Sequence, residues 1–372
     1  MRQDRRNGRE SAPGFLFAGG GTGGHLFPAL AIAEQVRALR PDARILFVGT
    51  KEKIEARVVP QEGYEFAPIW ISGVQRRRRL ANLLVPVKIV ISLVQSFFLM
   101  GRFRPSVVIG TGGYVAGPVL LSAWLLRIPT VIHESNSFPG VTTKMLARRA
   151  TRVITAFAAT ERWLSRKDNI RQLGTPVRRS LGMVTQPEAR ARFGLDPGRR
   201  TVLAMGGSLG AASINAVLLQ MADHVLTRGV QVIWQTGPTH FAAIRESLGN
   251  KPVGWVGPFI DHMEDAYAAA DLVLCRAGAI TVAELMALGK PSVLVPYPYA
   301  AEDHQTVNAR TLTDQGAAIM IPDTRLPDRF LIEVLDVLND SKRLAAMGAA
   351  ARALGRPEAG RTIAKEILHL ST

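Results

Sequence analysis

Hydrophobic and polar positions alternate along the chain in two rhythms. Short apolar runs at residues 15–18, 44–48, 106–109, 129–132 and 152–154 are separated by longer stretches with apolar residues at helical spacing. That alternation predicts strand–helix–strand units and a mostly parallel sheet. The rhythm returns at 201–205, 230–234, 253–256, 271–274, 291–295 and 317–321, and after Pro327 the pattern is helical to the end. Pro and Gly at 174–178 read as a linker. The expected organisation is a basic, disordered start at 1–14, an α/β domain at 15–178, a second at 179–350, and a final helix within 351–372 placed to pack back on the first domain. A chain of 372 residues, 47% of them hydrophobic, can bury two such cores.

Glycine loops interrupt the rhythm where strands pass into helices. Gly19-Gly-Gly-Thr-Gly-Gly-His25 follows the first strand, and Gly206-Gly-Ser-Leu-Gly210 follows the run at 201–205, about half a chain later. Glycines let the backbone approach a ligand, and the helix N-terminus beyond them favours an anion. Two such openings suggest two Rossmann-like halves facing each other, with ligands at the strand C-termini. A third glycine turn, residues 110–118, borders the same sheet edge.

The net charge of +16 adds an attraction for anions: nucleic acid, acidic lipid headgroups or phosphorylated substrates. No interleaving of basic and aromatic residues suggests base stacking, which argues against nucleic acid. The single cysteine, Cys275, excludes an intrachain disulfide framework and reads as a packed residue. The first fourteen residues lack the apolar core of a secretory signal. Arg76, Arg77, Arg78 and Arg79 precede an apolar stretch through Leu83 and Leu84 to Met100, broken by Pro86 and carrying Lys88, Ser92, Gln95 and Ser96 at helical spacing. That polar face disfavours a spanning helix. The expectation is a helix whose apolar side packs partly on the sheet and whose basic rim touches an anionic membrane surface.

Polar groups cluster after three strands. His133, Glu134 and Asn136 follow the run at 129–132, and Asn136 or Ser137 is placed either to cap a helix beginning near Val141 or to serve a site. Arg276-Ala-Gly-Ala-Ile-Thr-Val-Ala-Glu284 has the spacing of a capping box between Thr281 and Glu284, yet a carboxylate there also suits the two hydroxyls of a ribose. Asp303, His304, Gln305 and Asn308 offer amide and imidazole groups to sugar hydroxyls. No Cys/His ligand spacing and no Asp-x-Asp pair occurs, so a leaving diphosphate would be neutralised by helix N-termini and by Arg178 and Arg276 without a metal.

The glycine loops at 19–25, 112–118 and 206–211, His133-Glu-Ser-Asn136, Gly174-Thr-Pro-Val-Arg178, the segment 276–284 and Asp303-His-Gln-Thr-Val-Asn-Ala309 occur in the order found in the MurG family, which the chain resembles over nearly its whole length after Ala12. The resemblance implies the GT-B fold, an α/β architecture of two Rossmann-like parallel-sheet domains facing across a cleft. It implies an inverting transfer of GlcNAc from UDP-GlcNAc to the C4 hydroxyl of MurNAc in lipid I, giving lipid II, with no cofactor. The enzyme would be peripheral, on the cytoplasmic face of the bacterial plasma membrane. Carried over by position, Arg178, Ser208, Ile260, Ala279, Ile280, Thr281 and Glu284 would hold UDP. Gln305 and Asn308 would hold the GlcNAc with His304 beside them; Thr22, Gly23 and His25 would meet the transferred sugar and the acceptor diphosphate, and Gly24 and Asn136 would also reach the donor. Gly21, Tyr114 and His133 would line the acceptor side, with His25 or Glu134 as general base, His25 ranked first. Ser135 and Leu209 stand where the family commonly has glutamine. Other readings on the same fold are a UDP-GlcNAc 2-epimerase, a transferase with a soluble acceptor, and a nucleotide-sugar sensor.

Overall fold

A computed structural model describes residues 12–73 and 84–371. The described residues form two parallel sheets. The first contains β1 Gly14–Gly19, β2 Arg44–Gly49, β3 Glu65–Pro68, β4 Val107–Gly112, β5 Thr130–Glu134, β6 Arg152–Thr155 and β7 Ile170–Gln172, in the order β3-β2-β1-β4-β5-β6-β7. The second contains β8 Thr201–Met205, β9 Gln231–Gln235, β10 Gly254–Gly257, β11 Leu272–Cys275, β12 Ser292–Leu294 and β13 Ala318–Met320, in the order β10-β9-β8-β11-β12-β13. Both are doubly wound: the first strand of each domain lies inside the sheet, and the order reverses beside it. The glycine loops leave β1 and β8 at these reversals, where open α/β sheets bind ligands.

Side chains alternate between the two buried faces of each sheet, as strand geometry requires. Phe15 and Phe17 of β1 join one core cluster while Leu16 and Ala18 join the other. Val202 and Ala204 of β8 are divided in the same way from Leu203 and Met205. Both faces being covered explains why these runs are continuously apolar. The final helix, Ala359–His369, inserts Ile363, Ala364 and Ile367 into the first domain's core beside the Gly23–Leu39 helix. The chain therefore crosses between the domains twice.

The helix Val85–Phe103 reverses the expected orientation. Its buried residues are Ser92, Ser96 and Met100, whereas Val87, Ile89, Val90, Val94 and Phe98 face outward, Phe98 with 76% of its surface exposed. The small serines fit close to the Gly113–Leu125 helix, whose Ser122 hydroxyl donates to the Leu93 carbonyl. Their own hydroxyls donate to the Ile89 and Ser92 carbonyls, so no polar group is stranded inside. The helix is thus polar inward and apolar outward, and at 19 residues it is long and apolar enough to cross a membrane by length and composition. Leu84, just before it, is exposed, while Arg76, Arg77, Arg78, Arg79 and Leu83 lie outside the described residues.

Candidate active site

His25 sits two residues into the helix that leaves the first glycine loop. Its Nδ1–H donates to the Thr111 carbonyl (3.1 Å), and the Thr111 hydroxyl donates to the His25 carbonyl (2.7 Å). A carbonyl can only accept, so the neutral ring carries its proton on Nδ1 and its free lone pair on Nε2. Burial pulls the pKa below the ordinary value of 6.5, against the opposing pull of Glu134, the Thr111 carbonyl and Glu55. The ring lies flush on the third glycine turn. A Cβ on Gly112 would come within 2.5 Å of Nδ1, and one on Gly113 within 2.6 Å of the Gly20 carbonyl; both residues have φ in the left-handed region, at 111° and 78°.

Glu134 is not placed as a base. Oε1 accepts from the backbone N–H and side-chain amide of Asn136 (both 3.1 Å), and Oε2 accepts from the Gly140 N–H (3.0 Å) and the Thr143 hydroxyl (2.7 Å). A carboxylate with four donors has no free lone pair for a substrate proton. It organises the entry to the Val141–Leu146 helix, so neither Asn136 nor Ser137 caps that helix, and the Asn136 amide group is turned inward. His133 does not line a surface either. It is fully buried, its Nε2–H donating to the Gly174 carbonyl (3.1 Å) while Nδ1 accepts from Ser135 (3.3 Å). Burial lowers its pKa as well. Its position ties β5 to the linker, and the Gly174 carbonyl, which can only accept, fixes its tautomer.

Across the cleft, the helix Ala279–Leu288 begins at Gly278 with no side-chain cap. The capping box is not formed: Glu284 turns away and accepts from Tyr267 Oη (2.8 Å) and from Arg178 (3.5 Å). The first N–H groups, including those of Ala279, Ile280 and Thr281, therefore remain available to an anion. Glu284 is buried, which raises its pKa against the opposing influence of Arg178. The Arg178 guanidinium also lies 5.3 Å from the centroid of Phe27 in the first helix, so Phe27, Arg178 and Glu284 form a line of contact across the domains. Arg276 is not available to a diphosphate. It is paired with Asp323, and it donates to Ser213 (2.9 Å) and to the Val295 and Pro296 carbonyls.

Asn308 is fully buried. Its amide donates to the Ala277 carbonyl (3.1 Å) and its oxygen accepts from Ser137 (3.2 Å), a hydrogen bond between the two domains. Gln305 accepts from the Tyr297 N–H (2.9 Å), and His304 opens the helix behind Glu302 and Asp303, which both hold left-handed backbone (φ 52° and 51°). Ser208 and Leu209 are exposed at the tip of the second glycine loop. Among the described residues no group of three or more His, Cys, Asp or Glu side chains gathers as a metal site.

Two residues of the site carry no motif and were missed by sequence reasoning. Glu55 is buried under the first glycine loop, accepting from the Gly21 N–H (3.0 Å) and from the N–H and hydroxyl of Thr50 (3.0 and 2.8 Å). Gln235, at the end of β9, donates to the Gly207 carbonyl (2.8 Å) and accepts from the Ile260 N–H (3.0 Å). The one signal for Gln235 was a polar residue directly after the apolar run Val232-Ile-Trp234.

Comparison with known proteins shows the family. The glycosyltransferase family 28 N-terminal domain matches residues 15–155 and the family 28 C-terminal domain matches residues 201–364. The chain is 46% identical to the "UDP-N-acetylglucosamine--N-acetylmuramyl-(pentapeptide) pyrophosphoryl-undecaprenol N-acetylglucosamine transferase" of Salinibacter ruber, over 97% of both chains. It is 45% identical to the protein of the same name from Chlorobaculum parvum, over 96% of this chain and 99% of that one. Among solved structures it superposes on MurG of Acinetobacter baumannii with a TM-score of 0.73 and 30% identity, over 96% and 99% of the two chains. A UDP-N-acetylglucosamine 2-epimerase superposes with a TM-score of 0.66 at 14% identity, a likeness of fold alone.

Proposed function

The chain belongs to glycosyltransferase family 28, as one of its MurG transferases, and from that premise we propose how its cleft works. It transfers N-acetylglucosamine from UDP-N-acetylglucosamine to the C4 hydroxyl of the muramyl sugar of lipid I, forming lipid II in peptidoglycan synthesis. In our reading the domain of β1 to β7 receives the acceptor and the domain of β8 to β13 holds the nucleotide sugar.

The fixed tautomer of His25 carries the mechanistic reading. Its Nε2 lone pair takes the proton from the acceptor hydroxyl as that oxygen attacks C1 of the donor sugar. The new C1–O bond forms as the bond from C1 to the diphosphate breaks, inverting the anomeric carbon, and UDP leaves with the electron pair. Burial keeps the imidazole neutral and ready to accept. The charge on UDP is met by the uncapped start of the Ala279–Leu288 helix and by Arg178, and Glu284 takes the ribose hydroxyls. With the charge answered in this way, we expect turnover without a divalent cation.

The outward apolar face of the Val85–Phe103 helix supports peripheral attachment to the cytoplasmic face of the plasma membrane, where a polyprenyl-linked acceptor is presented. Single-turnover release of UDP, measured with EDTA present and with or without a lipid-linked muramyl-peptide acceptor, tests the whole reading. Release that depends on the acceptor and yields a disaccharide is expected. Donor binding without transfer would return the chain to the epimerase or sensor readings.

A further inference from the structure

A second opening lies beside the first glycine loop and has no part in the mechanism above. It is a cavity of about 680 Å³ at the C-terminal ends of β2 and β3, between residues 50–53, residues 68–73 and the start of the Val85–Phe103 helix. Tyr114 forms its inner wall, and the Tyr114 hydroxyl lies against Gly21, so the cavity adjoins the loop that carries His25. Its outer wall belongs to the helix with the exposed apolar face. An acceptor held by its lipid at that helix and by its sugar at His25 would have its remaining parts beside this cavity.

The lining is chemically mixed. Lys51 and Lys53 project from an exposed turn, and Lys88 is held by a hydrogen bond to Ser72 Oγ (3.0 Å) with its ammonium 5.3 Å from the centre of the Trp70 ring. Glu52 and Gln95 complete the polar part. Three ammonium groups call for acidic oxygens, and two of the backbone donors in the lining are already taken. The Thr50 N–H is committed to Glu55 and the Trp70 N–H to Gln95. The volume is of the order that takes a ligand of several residues, and an indole face beside separated ammonium groups suits aliphatic stems ending in carboxylates.

Resting on the transferase reading above, we propose that this cavity receives the peptide carried by the muramyl sugar, with Lys51, Lys53 and Lys88 binding its carboxylates. The site adds affinity for peptide-bearing acceptors and takes no part in the chemistry.

The test compares two lipid-linked muramyl acceptors, one with the pentapeptide and one without it, in the full-length enzyme and in Lys51→Ala/Lys53→Ala and Lys88→Ala variants. For the peptide-bearing acceptor, KM is expected to rise about tenfold in the variants, the loss of one or two charge-assisted contacts. Its kcat, the peptide-free acceptor's KM and the melting temperature should stay as in the wild type. Equal losses on both acceptors would assign the lysines to the diphosphate that the two share and overturn the proposal. Unchanged KM for both, or a wild type that does not distinguish them, would overturn it too. A wild type that transfers to neither acceptor would instead refute the transferase reading, a separate failure.

Discussion

The two glycine loops occupy the same place in two sheets of the same winding, yet they are clamped in opposite senses. The first is held from below by an acid: the Glu55 carboxylate accepts the Gly21 N–H, which removes one backbone donor from the loop. The second is held by a neutral amide: Gln235 donates to the Gly207 carbonyl and leaves the loop's N–H groups uncommitted to it. Negative charge behind the first loop opposes anion binding there and raises the basicity of the histidine above it. A neutral clamp places no charge behind the second loop, which on the reading proposed above lies on the donor side. On the reading proposed above, the same fold element serves proton transfer in one domain and substrate binding in the other.

The largest break in this contrast is expected from His25→Ala. General-base catalysis contributes about 100- to 10,000-fold, so kcat should fall by that order while UDP-GlcNAc affinity stays unchanged in calorimetry. Next comes Glu284→Ala, which should raise the donor KM by about 10- to 100-fold, the value of hydrogen bonds to a charged group, and spare the acceptor KM in steady-state assays. Gln235→Leu leaves the Gly207 carbonyl and the Ile260 N–H without their partner. It should weaken the donor by about tenfold, at roughly 1–3 kcal/mol for an unsatisfied group, whereas Glu55→Ala should act on acceptor turnover and on the melting temperature.

The smallest effect lies in the pH profile. The base must be unprotonated, and burial lowers the His25 pKa, so activity should persist as pH falls below 6.5 and fail only on passing the lowered value. Glu134 raises that pKa, so Glu134→Gln should move the acid limb further toward low pH. An acid limb at or above 6.5 in the wild type would contradict the burial argument.

Much of the architecture was legible because both sheets are covered on both faces, which makes their strands continuous apolar runs. The edge strands β3 and β7 were not, since Glu65, Arg171 and Gln172 carry exposed polar groups where no second layer covers them. The glycine loops could be placed from sequence, since their backbone needs are local. Which polar residue faces a ligand could not. His133, Glu134, Asn136 and Arg276 lie at or just after strand ends and Asn308 lies within a helix, and each is consumed by partners distant in the sequence or by the turn it holds. The Val85–Phe103 helix shows the same limit. Its polar stripe was visible, but small serines that bond to their own helix can face inward as readily as apolar residues.

The division of labour between the two loops is tested most directly by measuring donor affinity and single-turnover rate on the same His25→Ala protein. Unchanged UDP-GlcNAc affinity with a transfer rate reduced by about 100-fold or more is the predicted result. A rate near that of the wild type, or donor affinity that falls in step with the rate, would contradict it.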